Sequence, residues 1–336
     1  MTADADEGVV HEAVGPPMSG LEAAGAIGVG VNSLLVLGVI PVLLGSLADE
    51  HRLSNADIGD VASVEVLTMG VATGLVGILL KPQRLKLIGV LCQLLLAIAF
   101  AVWIMPAFGS DGGFLALTLC ALIGVFPALI SPSRLADLNP GEAVPGAPPL
   151  RGWIALAGTL VYVSGSASVG VYLQPLAHQA GLSAGVARTA LWVSLAAQVA
   201  GGAAATALAG RVRWFHVFLI TTTGYLIVWA LFGLKIPAWL FVGANALAGL
   251  VGLFLGPFLV PMTIEADPSR RAAVQSGAAQ LIGGAIGPAL AAMAVSDADV
   301  HGALWLGAAL SVTGLAAVAW LHVTHARHPA GPAPAA

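Results

Sequence analysis

At 336 residues the chain is long enough for two soluble domains, but 58% of it is hydrophobic and only 9% charged. A water-soluble globular protein, with about a quarter of its residues charged, is excluded by that balance. A formal net charge of −4 leaves no basic surface for nucleic acid.

Taken in order, residues 1–20 come first. Asp4, Asp6, Glu7 and Glu12, with Glu22 just beyond, make an acidic tail expected to be disordered. It lacks the positive start of a cleaved signal peptide, so the first apolar stretch is expected to stay as a membrane helix. About 20 apolar residues carry a helix through the hydrocarbon layer with every backbone hydrogen bond made internally. Ten such stretches follow, near 21–44, 61–80, 85–105 and 114–130, then 153–176, 187–209, 214–234, 238–260, 272–295 and 303–320. The expected fold is all-α, a polytopic bundle of about ten transmembrane helices. Its parts are a first bundle (21–130), a linker (131–151) with prolines at 132, 140, 145, 148 and 149, a second bundle (152–322) and a tail (323–336). Pro41 and Pro257 inside spans are tolerated where neighbouring helices meet the freed carbonyls. Cys92 and Cys120 both fall in spans and read as small packing residues.

Lysine and arginine set the direction. An even number of spans puts both termini on one side, together with Lys81, Arg84, Lys86, Arg134, Arg151, Arg211, Arg213, Arg270, Arg271 and Arg327. The other side holds Arg52, Arg188 and Lys235. This bias places both termini in the cytoplasm, with Trp153, Trp214, Trp239 and Trp320 at span ends as interfacial anchors.

An internal repeat runs at an offset of 129 residues. Leu47-Ala48 and Leu53-Ser54 recur as Leu176-Ala177 and Leu182-Ser183; Arg84 falls on Arg213, and Pro132 on Pro261. The paired spans run in the same direction, so the repeat is parallel, with a pseudo-two-fold axis along the membrane normal.

Three local patterns carry a resemblance. Gly210-Arg211-Val212-Arg213 resembles the glycine–basic turn that the major facilitator superfamily of secondary transporters places between the second and third helices of each half. Asp267-Pro268-Ser269-Arg270-Arg271-Ala272-Ala273, with Gly277 and Gly283-Gly284-Ala285-Ile286-Gly287-Pro288, is similar to the loop and eleventh helix of many bacterial members. The stretch from Leu47 to Glu65 is similar to the first outer loop and second helix. The resemblance implies two parallel six-helix bundles joined by a cytoplasmic loop. This chain departs from it in two respects. Its first-half loop, from Gly77 to Lys86, has no aspartate and no second glycine, and its first half has four spans where the family has six. Whichever two helices are absent, the fifth is among them.

The candidate functional residues follow. Glu65 is the one acid well inside a span, where a carboxylate costs roughly 2.5–3.5 kcal/mol and must face protein or water. It is either a proton-coupling acid or a group reaching water a turn below the outer surface. Asn32, Gln198, Asn245, Gln275 and Gln280 are mid-span amides. They either line a midplane substrate site or bond helix to helix. The fifth span is the most polar, with Tyr162, Ser164, Ser166, Ser168, Tyr172 and Gln174. Ser164, Ser168 and Tyr172 repeat every four residues on one face. That face is either wetted beside a substrate, or its serines bond back to their own helix. Arg211, Arg213, Arg270 and Arg271 are topology signals or gating partners of Glu265 and Asp267. His322, His325 and His328 read as a solvated flank, with no metal expected. Gly70/Gly74 and Gly252/Gly256 are small-residue pairs that bring helices close.

No Gly-x-x-x-x-Gly-Lys-Ser/Thr loop occurs, and Gly25, Gly28 and Gly30 follow no strand, so no nucleotide or other cofactor is expected. No zinc spacing and no catalytic pair lies within the spans, so no enzyme is expected. These features together point to an inner-membrane secondary transporter of a small organic solute, working by alternating access and proton-coupled; a shortened first half that cannot close a cavity is the reason for the alternative.

 The partners implied are the solute, protons and the lipid bilayer. A partner or a second copy covering the gap in the first half is also implied, and the alternative function is a non-transporting or degenerate relative that acts as a partner subunit.

Overall fold

A computed structural model of the chain describes residues 19–22, 24, 25, 28, 54–79, 85–99, 119, 122–130 and 147–327. The regular structure among them is helical throughout: α1 (Asn55–Leu79), α2 (Leu85–Ala99), α3 (Val125–Ile130), α4 (Leu150–Gly170), α5 (Leu173–Gln179), α6 (Ala184–Leu208), α7 (Trp214–Phe232), α8 (Ala238–Ala266), α9 (Arg271–Ala292) and α10 (His301–Arg327). Five of these, α4, α6, α7, α8 and His301–Thr324 of α10, are long and apolar enough to cross a membrane. The protein is an all-α, polytopic membrane protein. Helix α9 has 22 residues and so the length to cross, but it is built largely of alanine and glycine with two glutamines, Gln275 and Gln280.

The chain divides into two compact units, Met1–Leu37 with Leu80–Glu142 and Gly38–Leu79 with Ala143–Ala336. In the first, α2 packs on α3, with Gly89 opposite Ala128. Asn32 and the first-half members of the 129-residue repeat (Leu47, Ala48, Leu53, Arg84 and Pro132) lie outside the described residues.

The second unit holds the other eight helices. Helix α1, grouped by sequence with the first bundle, packs along α9 in this unit. Helix α9 in turn packs on α4, α4 on α10, α10 on α7, α7 on α8, and α8 on α6. Prolines set several helix starts: Pro149, at φ −65°, precedes α4, and Pro237, at φ −67°, precedes α8. Gly210, at φ +77°, turns the chain between α6 and α7, which is the physical use of the glycine in the Gly-Arg-Val-Arg turn. Pro257, Pro261 and Pro288 all sit inside helices without ending them.

One expected span is not continuous. The stretch 153–176 is α4 and α5, separated by a turn at Val171 and Tyr172. Pro175 explains the break: it has no N–H to give the carbonyl four residues back, that of Val171, and its ring clashes there. In the first turn of α5 the same proline is harmless.

Helices of this unit approach through small residues, as expected where lipid supplies no hydrophobic drive and packing must. Gly201 of α6 lies against the backbone of Leu250, and Gly249 of α8 against the backbone of Ser194, so a side chain at either would collide with the partner helix. Gly283 and Gly287 of α9 meet the backbone of α4 at Leu160 and Ser164 in the same way. Of the two sequence pairs, Gly70 is used against Leu281 and Ile282, whereas Gly256 has nothing within 4 Å of where a side chain would start.

Candidate functional site

The polar residues of α4 point in two directions. Tyr162 is fully buried towards α7, where its hydroxyl lies 2.9 Å from Thr221 Oγ1 and accepts from Thr222 Oγ1 at 3.3 Å. Its ring meets Phe218 edge to face, with centroids 5.1 Å apart. Thr221 also donates to Val217 O at 2.9 Å, which makes the Tyr162 hydroxyl the donor between the two. Ser164 donates to Leu160 O and to Gly283 O of α9, both at 2.9 Å, while Ser168 bonds Gly165 O and Ser166 bonds Val163 O. Ser164 therefore serves both as a back-bonded serine and as a link between helices.

The amides divide similarly. Asn245 is buried in α8 and donates through Nδ2 to Ala190 O of α6 at 2.9 Å. Gln280 is half-buried and makes long contacts of 3.4 Å with Ser276. Gln275 is exposed and Gln198 half-buried. Glu65 lies in α1, and its side chain is outside the described set.

Tyr172 differs from all of these. It stands in the α4–α5 turn with no exposed surface, and among the described residues its hydroxyl has no hydrogen-bond partner. The hydroxyl lies against Gly59 of α1, at a point also bounded by Pro288 O and Ala292 of α9. Asp60 is close enough for its charge to act on the phenol. Thr159 and Ser311 also carry buried hydroxyls without a partner, in α4 and α10.

Beyond this point the helix ends at the start of α1 and the α9–α10 loop are tied by polar bonds that the sequence did not reveal. The backbone N–H of Asn55 donates to Asp297 Oδ1 at 3.1 Å, and its Nδ2 donates to Ser296 O at 3.2 Å. An acid in the α9–α10 loop thus satisfies a free donor at the start of α1, alongside the local Ser54–Asp57 bonds. Gln179 of α5 holds the same loop, donating to Ala298 O at 2.8 Å and accepting from the Val300 N–H at 3.3 Å.

At the other end, the expected gating residues have defined local roles. Asp267 is buried and accepts from the Ser269 hydroxyl at 2.5 Å, the Ser269 N–H at 3.1 Å and the Ala272 N–H at 2.9 Å, capping the start of α9. Burial works to raise its carboxyl, but these hydrogen bonds and the charge of Arg271 outweigh it and hold the group below the usual carboxylate range. Glu265 accepts from Trp214 Nε1 at 2.6 Å, so Trp214 is a buried strut rather than an interfacial anchor. Trp153, Trp239 and Trp320 are exposed. Arg271 donates to Ala147 O at 3.0 Å; Arg211, Arg213 and Arg270 are exposed, and Arg270 adopts φ 61°. His322 stacks on Phe215 with centroids 4.3 Å apart, and the described residues contain no group of three metal-ligating side chains.

Missed by the sequence reading were Thr221, Thr222, Asn55, Gln179 and Asp297. The signal for the first two was a run of three threonines in an otherwise apolar helix. No protein-family model matches the chain, and no curated protein matches it.

Proposed function

We propose that the protein is a secondary transporter of the major facilitator type in the inner membrane, with both termini in the cytoplasm. It moves a small organic solute by alternating access between about ten helices arranged as a parallel repeat, and it draws on the proton gradient. The observation that carries this reading is the α1–α9 contact. A helix from the first half of the sequence lies along one from the second half, with Gly59 and Gly70 on one side and Gly284 against Val66 on the other. Small-residue contacts of this kind can part and re-form with little repacking.

A specific observation favours a second reading. Tyr162, Ser164, Ser168 and Asn245 make bonds within the protein, as they would in a non-transporting membrane subunit that packs with a partner. One experiment separates the two. Purified protein in proteoliposomes is given an imposed proton gradient and a panel of labelled neutral and weakly charged organic solutes. The transporter reading expects gradient-driven flux that loses its pH dependence in Glu65→Gln. Unchanged pH dependence in that variant removes the coupling role of Glu65, and no flux across the panel favours the subunit.

A further inference from the structure

Two of the chain's three buried tyrosines, Tyr162 and Tyr172, stand ten residues apart and form a natural comparison. The Tyr162 hydroxyl has two threonine partners, and the Tyr172 hydroxyl has none among the described residues. Buried hydroxyls in folded proteins are nearly always satisfied, so the second case calls for a physical reason. Its surroundings supply one. The outer part of α1 lies over the hydroxyl at Gly59, next to Pro288 O and Ala292 of α9. Holding α1 there are its packing along α9, the buried Ile58 and Ala62, the close Gly59 contact and, one turn further out, the two bonds from Asn55 to the α9–α10 loop.

We propose that this arrangement is a two-state latch, in which the outer end of α1 closes over the Tyr172 hydroxyl and lifts away to let water reach it. The orphan hydroxyl biases the latch towards opening, because it gains hydrogen bonds only in the open state. The Asn55–Asp297 and Asn55–Ser296 bonds and the close Gly59 contact oppose that bias. A change at this one point therefore shifts the population in a direction fixed by whether it removes the orphan or loosens the contact. The device does not depend on transport and extends to a membrane subunit equally well.

Amide hydrogen exchange of the full chain in lipid nanodiscs tests the latch, since exchange of residues 55–62 reports its opening. Tyr172→Phe keeps the ring and removes the unsatisfied group, so exchange there is expected to slow by roughly tenfold. Gly59→Ala places a methyl group against the Tyr172 hydroxyl and Pro288 O, so exchange is expected to quicken. Tyr162→Phe removes a partnered hydroxyl and is expected not to slow exchange in this segment. Unchanged or faster exchange in Tyr172→Phe overturns the proposal, as does loss of folding in that variant, because removing an orphan polar group from an apolar site must not destabilise it. Slow exchange in Tyr172→Phe without solute flux leaves the latch standing and counts against transport; flux with unaltered exchange does the reverse.

Discussion

Replacing Tyr162 by phenylalanine decides whether this residue is a strut between helices or a group that meets solute. The hydroxyl donates to Thr221 Oγ1 at 2.9 Å and accepts from Thr222 at 3.3 Å. Its removal orphans neither threonine, because Thr221 still donates to Val217 O and Thr222 to Phe218 O at 2.7 Å. The cost is therefore not the roughly 1–3 kcal/mol of a stranded buried group. It falls in the range of interhelical bonds in membranes, about 0.6 and at most about 1.7 kcal/mol, and the well-formed 2.9 Å contact places it near 1 kcal/mol. The assay is a double-mutant cycle of Tyr162→Phe with Thr221→Val, read by reversible unfolding in bicelles. A strut gives a coupling energy near 1 kcal/mol. Additivity within the roughly 0.3–0.5 kcal/mol of independent sites refutes it.

Two further outcomes follow from the same geometry. Gly249→Ala drives a methyl group into the Ser194 backbone and is expected to destabilise by about 1–3 kcal/mol, whereas Gly256→Ala, with open space around it, should change unfolding by less than about 0.5 kcal/mol. For Asp267 the folded carboxyl is held below its ordinary value, so its contribution to stability is complete above the unfolded value near pH 4 and is lost as pH falls through the lower folded value. Acid titration of thermal unfolding in detergent should accordingly show a loss below about pH 4 that is shallower in Asp267→Asn.

The membrane helices were legible because hydrophobic length is a local property. The stretch 187–209 is α6 (Ala184–Leu208) and 214–234 is α7 (Trp214–Phe232), each within a few residues. The break at Val171 was also written in the chain, at Pro175, but it is hidden by the unbroken apolar run around it. Tyr162 and Tyr172 show the limit. Both are tyrosines in one polar stretch, and nothing nearby in the sequence says that one would meet two threonines about 60 residues on and the other a glycine over 100 residues back. Asp267 and Glu265 were gating candidates in the sequence because charge near a helix end fits several roles. Which one applies depends on the donors that packing brings: the Ala272 and Ser269 N–H groups for one, the Trp214 indole for the other.

Composition and the length of its apolar runs were enough to determine that this protein is helical and lives in lipid, because a backbone in hydrocarbon has to satisfy its own hydrogen bonds segment by segment. Which helix lies on which, and hence whether a buried hydroxyl is bonded or orphaned, was decided only in three dimensions. Those pairings depend on close approach at Gly59, Gly249 and Gly283 between residues far apart in the chain. A glycine marks where helices can meet, but not which helix it meets.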